Sequence, residues 1–227
     1  MTGQVIAIVG AESTGKSTLA TALAAQIAAA TGLTCVTVGE HLREWCDRER
    51  RTPRVDEQHA IATEQQRRID SAALTHAVVV ADTTPLMSAV YSQLLFNDRS
   101  LLQLAVASHR RTALTLLMAL DLPWVPDGLQ REGAHVRLPV DQAVRELLVE
   151  HGLAWSVVGG QGSARLEQAF DAASPLLATL APTDSRAAGL FSHLAARDAA
   201  MPVWQWVCEK CDVPDCEHAA LNSLQRR

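Results

Sequence analysis

Apolar residues along the chain fall into short runs separated by longer segments of helical spacing. Gln4–Val9 (QVIAIV) is a short apolar run that stops at Gly10. Thr34–Val38, Ala77–Ala81 (AVVVA), Ala113–Leu120 (ALTLLMAL) and Trp155–Val158 repeat that form. Runs of this length, apolar on both faces, predict strands covered on both sides. Between them Thr18–Ala30, Asp56–His76, Leu86–Phe96, Leu101–His109, Val140–His151 and Ala164–Leu180 read as helices. In Asp56–His76 the apolar positions are Ile61, Ile69, Ala73 and Leu74. Strands alternating with helices predict a doubly wound α/β domain over residues 1–181, a five-stranded parallel sheet with helices on both faces. Ala181-Pro182-Thr183 interrupts the last helix, so residues 182–227 are expected to form a short C-terminal tail, with a helical piece near Ser185–Ala200.

Composition narrows the classes. The 227 residues are 48% hydrophobic and 20% charged, enough apolar material for a core. A formal net charge of −5 excludes a broadly basic surface, so neither nucleic acid nor an anionic membrane is the expected partner. No apolar stretch of about 18 residues suggests a membrane span. The N-terminus lacks a basic region before its apolar run, so a cytoplasmic location is expected.

The first strand leads into Gly10-Ala11-Glu12-Ser13-Thr14-Gly15-Lys16-Ser17, and Thr18 continues into the first helix. This is G-x-x-x-x-G-K-S in the strand–loop–helix context that the motif requires. Glycines let consecutive backbone N–H groups converge on phosphate oxygens, and the helix N-terminus adds its dipole. Lys16 is expected to reach the β- and γ-phosphates of ATP, and Ser17 to ligate Mg²⁺. Asp82 closes the third strand and is the candidate second Mg²⁺ residue. Asp121, which closes the fourth, is the weaker one.

The second strand ends in Gly39-Glu40-His41-Leu42-Arg43-Glu44. Ligands of open α/β sheets lie at the carboxyl ends of the strands, so Glu40 faces the space opposite the phosphate loop. A carboxylate there can take a proton from an acceptor hydroxyl or bind a sugar hydroxyl. Arg43 can balance phosphate charge or orient Glu40, and Glu44 suits the first turn of a helix. After the fourth strand, Trp124 to Gly133 is polar and broken by Pro126; Arg131 and Arg137 are candidate lid arginines for phosphoryl transfer. Trp124 can stack on an acceptor base or anchor packing. Gly159-Gly160-Gln161-Gly162-Ser163 can border an adenine or form a plain turn.

Together these segments resemble the ribosylnicotinamide kinase domain of the bifunctional NAD-biosynthesis regulators of bacteria, within the wider P-loop ATPase/kinase family. The resemblance rests on Gly10–Ser17, Glu40-x-x-Arg43-Glu44, Asp82-Thr83 and Trp124-Val125-x-Asp127-Gly128-Leu129, and covers about residues 1–181. It implies ATP as donor and nicotinamide riboside as acceptor, with Glu40 and Asp82 near the ribose and metal. Trp124 would lie near the nicotinamide ring, and Asp127 on the substrate side.

The tail carries Cys208-x-x-Cys211-x-x-x-x-Cys216-x-His218. Four such ligands within eleven residues fit a tetrahedral, structural Zn²⁺. Cys35 and Cys46 are expected to be buried thiols instead. Two functions follow: a small-molecule riboside kinase, or a regulatory P-loop ATPase whose zinc-bearing tail binds a protein partner.

Overall fold

The computed structural model describes residues 2–125 and 133–180. Five strands, β1 (Gln4–Val9), β2 (Cys35–Val38), β3 (Val78–Asp82), β4 (Leu114–Met118) and β5 (Ser156–Val158), form one sheet in the order β2-β3-β1-β4-β5. Every pairing is parallel; Ile6 of β1 sits opposite Val80 on one side and Leu114 on the other. The helices are α1 (Lys16–Thr31), α2 (His41–Glu49), α3 (Gln58–Ala73), α4 (Pro85–Phe96), α5 (Leu102–His109), α6 (Arg137–Glu150) and α7 (Gly162–Leu180). No helix among the described residues is long and apolar enough to cross a membrane.

The two-residue side-chain period of the strands decides which layer each residue serves. Ile6, Ile8, Val78, Val80, Leu116 and Met118 face α1 and α7, where they meet Leu19, Leu23, Ile27, Phe170 and Leu177. Val9 and Leu117 face the other way, onto Leu86 and Val90 of α4 and Val144 and Leu148 of α6. Val79 and Ala81 lie against Ile69 and Ala73 of α3. Each large apolar side chain so buried contributes about 1.5–3 kcal/mol relative to exposure. β1 connects towards β2 and β4 connects towards β5, in opposite directions. The diverging connections open a crevice at the carboxyl ends of these strands, and the glycine-rich loop lies there.

Several element boundaries differ from the sequence expectation. The helix expected over Asp56–His76 begins at Gln58, because Val55–Glu57 forms a 3-10 turn in which the Glu57 carboxylate accepts from Arg54 N–H at 2.8 Å. Leu74, expected on the apolar stripe, is exposed beyond the helix end. α6 starts at Arg137 rather than Val140. α2, suggested in the sequence only through Glu44 as a first-turn acid, is a helix of nine residues. The boundary expected at residue 181, the tail and its Cys/His cluster lie outside the described residues.

Candidate functional site

The loop between β1 and α1 is built around two glycines. Gly10 has φ +144°, and a Cβ there would sit 3.0 Å from the Met118 Cβ, so the loop leaves β1 in close contact with β4. Gly15, at φ +79°, caps α1 in a left-handed conformation suited to glycine. Thr14 Oγ1 donates to Ala11 O at 2.8 Å, and Lys16 Nζ donates to Gly10 O at 2.9 Å and Ala11 O at 2.8 Å. The loop thus closes on itself with its lysine over the strand end. Ser17 and Thr18 are exposed at the start of α1, whose first turn contains no acid to offset the positive dipole end.

Around this loop, buried polar atoms lack the partners that buried groups ordinarily have. Glu12 is buried with Oε2 unpartnered. Asp82, 3% exposed at the end of β3, has Oδ1 unpartnered. Arg137 is buried too. Its Nη1 donates to Leu122 O at 2.8 Å, while Nε and Nη2 have no partner. Leu122 lies against Gly15, where an added Cβ would be 3.3 Å from its Cδ1. The segment carrying Arg137 therefore adjoins the phosphate loop. Arg137, expected in a loop as a candidate lid arginine, is instead the buried first residue of α6. Two carboxylate oxygens and a guanidinium edge left open suit a cation and an anion together, the composition of a magnesium–nucleotide complex. Among the described residues no three His, Cys, Asp or Glu side chains gather as a metal cage. Mg²⁺ bound through a hydroxyl, a carboxylate and substrate phosphates needs none.

Thr83, directly after Asp82, has φ +70°, which is costly for a β-branched residue. Its N–H donates to Ile8 O at 3.1 Å, anchoring the strained turn to β1. Thr84 then caps α4, accepting from Leu86 N–H, with Pro85 in the first turn.

Glu40 stands at the N-terminal cap of α2, its side chain 15% exposed, with Oε2 3.8 Å from Arg43 Nε. Glu40, Leu42, Ile61, Thr83, Met87 and Tyr91 line a pocket at the carboxyl end of β2 and β3. Gln65 holds that end together: its Oε1 accepts from His41 N–H at 2.7 Å, and Nε2 donates to Gly39 O at 3.2 Å. Sequence reasoning missed Gln65, although its place in the series Ile61-Gln65-Ile69-Ala73 puts it on the buried stripe of α3. Glu44 is in the first turn of α2 as expected, and the Arg68 guanidinium at 2.6 Å holds its carboxyl below the usual range.

Ser13 Oγ donates to Val125 O at 2.7 Å, so the loop after β4 reaches the phosphate loop. Trp124, one residue earlier, is half-buried with its indole N–H buried and unpartnered. Asp127 and Arg131 lie outside the described residues, as do Cys208, Cys211, Cys216 and His218. Asp121 corrects its expectation as a weaker metal candidate: its carboxylate is committed to Arg165 and to Gly160 N–H. Cys46 is buried as expected, whereas Cys35 is only half-buried; desolvation still pushes its thiol up to about 11.

Among the solved structures that share the fold are two of NadR protein. The crystal structure of NadR protein in complex with NR is 22% identical with a TM-score of 0.62, over 76% of this chain and 50% of that one. The crystal structure of NadR protein in complex with NAD and AMP-PNP is 21% identical with a TM-score of 0.58, over 76% and 49%. The chain spans about half the length of these structures. Among curated proteins none matches it by sequence. A family model described as an AAA domain matches residues 5–165, from β1 through the phosphate loop to the first turn of α7, and the chain belongs to that family.

Proposed function

We propose that this chain is an ATP-dependent phosphotransferase that phosphorylates a hydroxyl of a small riboside, nicotinamide riboside above others. The observation that carries this reading is Glu40, a mostly buried carboxylate that lines a small cleft with Thr83 and Tyr91 at the carboxyl end of β2 and β3, the same end of the sheet as the phosphate loop. A kinase needs, besides the phosphate cradle, a group that can take the acceptor's hydroxyl proton, and Glu40 is so placed. The bound NR and AMP-PNP of the NadR structures support the same pairing of acceptor and donor.

In this reading the amides from Gly10 to Thr18 and the Lys16 ammonium bind the triphosphate. Ser17 and Asp82 would hold Mg²⁺, which when bound would offset the negative charge of the nucleotide phosphates. Arg137 turns its unpaired guanidinium edge to the transferring group, joined by Arg131. The acceptor hydroxyl oxygen bonds to the γ-phosphorus as the bond to the bridging oxygen breaks, ADP leaves with that electron pair, and Glu40 takes the hydroxyl proton. Arg43, 3.8 Å from the Glu40 carboxylate, orients it, Trp124 covers the base, and Asp127 contributes on the acceptor side.

The test is incubation with ATP, Mg²⁺ and nicotinamide riboside, with separation of the phosphorylated riboside from free phosphate. Riboside phosphate formed in step with ADP supports the reading; ADP formed with free phosphate alone, whatever riboside is supplied, overturns it. That second outcome is the signature of the regulatory ATPase reading, the alternative that the C-terminal cysteine tail suggests. In that reading the Cys208, Cys211, Cys216 and His218 cluster holds a structural Zn²⁺ and the tail meets a protein partner.

A further inference from the structure

Arg165 occupies the first turn of α7, where the helix dipole disfavours a cation, and it is 5% exposed. A buried charge in an unfavourable place needs compensation, and here each arm of the guanidinium has a partner. Nη2 donates to Asp121 Oδ1, Nε to Gly160 O at 2.8 Å, and Nη1 to Thr14 O at 2.5 Å. Asp121 Oδ2 also accepts from Gly160 N–H at 2.5 Å. One side chain therefore ties together the phosphate loop, the loop after β4 and the glycine loop after β5.

The Thr14 contact has a direct consequence for the cradle. Thr14 C=O and Gly15 N–H belong to one trans peptide, so they point in opposite directions. Holding the carbonyl towards Arg165 turns the Gly15 N–H to the opposite side of that peptide, away from Arg165. A cation on the carbonyl also polarises the peptide and makes that N–H a stronger donor. We propose that Arg165, fixed by Asp121, is a positioning residue that presets the Thr14–Gly15 peptide for the nucleotide phosphates. Through Gly160 it couples the glycine loop after β5 to the same peptide, so that order in one loop is transmitted to the other.

This inference depends on nucleotide binding at the phosphate loop and not on which acceptor is used. The experiment is titration of the full chain with AMP and with ADP, both with Mg²⁺, by calorimetry. The ratio of the two dissociation constants reads what the cradle contributes to the second phosphate. In Arg165→Lys, which keeps the charge but loses the planar three-way fork, that ratio should fall about tenfold, while AMP affinity changes less than about twofold. Because Arg165→Met alone leaves Asp121 as an uncompensated charge, the second variant is Arg165→Met/Asp121→Asn, which removes both charges. It should show the same selective loss with a cooperative urea transition retained. Unchanged ratios in both variants overturn the proposal. So do equal losses for AMP and ADP, or two variants that do not fold, since either makes the pair a stability element only. Wild-type protein that binds neither nucleotide overturns the proposed function as well, whereas the variant outcomes bear on Arg165 alone.

Discussion

Lowering the pH from 7.5 to 5.0 should destabilise this fold through one buried histidine. His109 ends α5 at 3% exposure, between Thr84 Oγ1, 3.3 Å from its Nδ1, and Thr115 Oγ1, 2.8 Å from its Nε2. A neutral imidazole donates from one nitrogen and accepts at the other, and two hydroxyls can complement either tautomer. Burial holds its pKa down, from 6.5 to about 4. The sign follows from proton counts. Between those values the unfolded chain binds the proton and the folded chain does not, so stability rises with pH in that window. The contribution is fully present above pH 6.5 and is lost as pH falls towards 4. Its full size is about 3 kcal/mol, and about 2 kcal/mol of it is gone at pH 5.0.

The assay is urea unfolding of the wild type and of His109→Gln at both pH values. The glutamine amide also offers a donor and an acceptor to the two threonines but does not titrate. The wild type should lose about 2 kcal/mol more than the variant between pH 7.5 and 5.0. Glu57 and Glu64, each held down to about 2 by neighbouring arginines, stay ionised across this range and are common to both proteins. Equal losses, within about 0.5 kcal/mol, would show that His109 charges in place, and the reasoning from a dry threonine–histidine–threonine network would fail. The network matters to the site because Thr84 caps the helix that follows Asp82 and the strained Thr83.

Four further outcomes are expected. Lys16→Ala should weaken nucleotide binding at least tenfold and abolish turnover, with the urea midpoint little changed; normal rates would end the assignment of the phosphate loop. Asp82→Asn should lower apparent Mg²⁺ affinity about tenfold in an activity titration, and should not destabilise the fold, because it removes a buried charge whose Oδ1 has no partner. Glu40→Gln should cut phosphoryl transfer about a hundredfold while ATP affinity stays within about twofold; parallel losses would put Glu40 on the donor side. Protein purified without chelators should carry one Zn²⁺ per chain by elemental analysis, and less than about 0.2 would leave Cys208, Cys211, Cys216 and His218 as plain thiols and imidazole.

The division between what could and could not be read from the chain has a physical basis. Strands β1, β3 and β4 were legible because burial on both faces demands unbroken apolar runs. The phosphate loop was legible because its glycines, lysine and serine are each required by the ligand at a fixed spacing. Their order across the sheet was not, since every strand of a parallel sheet carries the same signal and crossovers decide its neighbours. α2 was legible only at its first turn, through Glu44, because HLREWCDRE is mostly charged and only His41, Trp45 and Cys46 are buried in it. Arg51 supplies part of its cover by stacking 4.9 Å from the Trp45 ring, a contact made from outside the helix. The polar parts of the site follow the same rule. Lys16, Asp82 and Glu40 sit at strand ends or in the motif, where position alone implies a role. Arg137, Arg165 and Asp121 acquire theirs from partners 15, 151 and 44 residues away, Leu122 O, Thr14 O and Arg165 itself. A local pattern contains no trace of such pairings. Arg165 offered a hint only by breaking a local preference, as a cation in the first turn of a helix. Where a residue opposes its local environment and is nevertheless buried, the compensation comes from elsewhere in the fold, and here it comes from the loop that cradles phosphate.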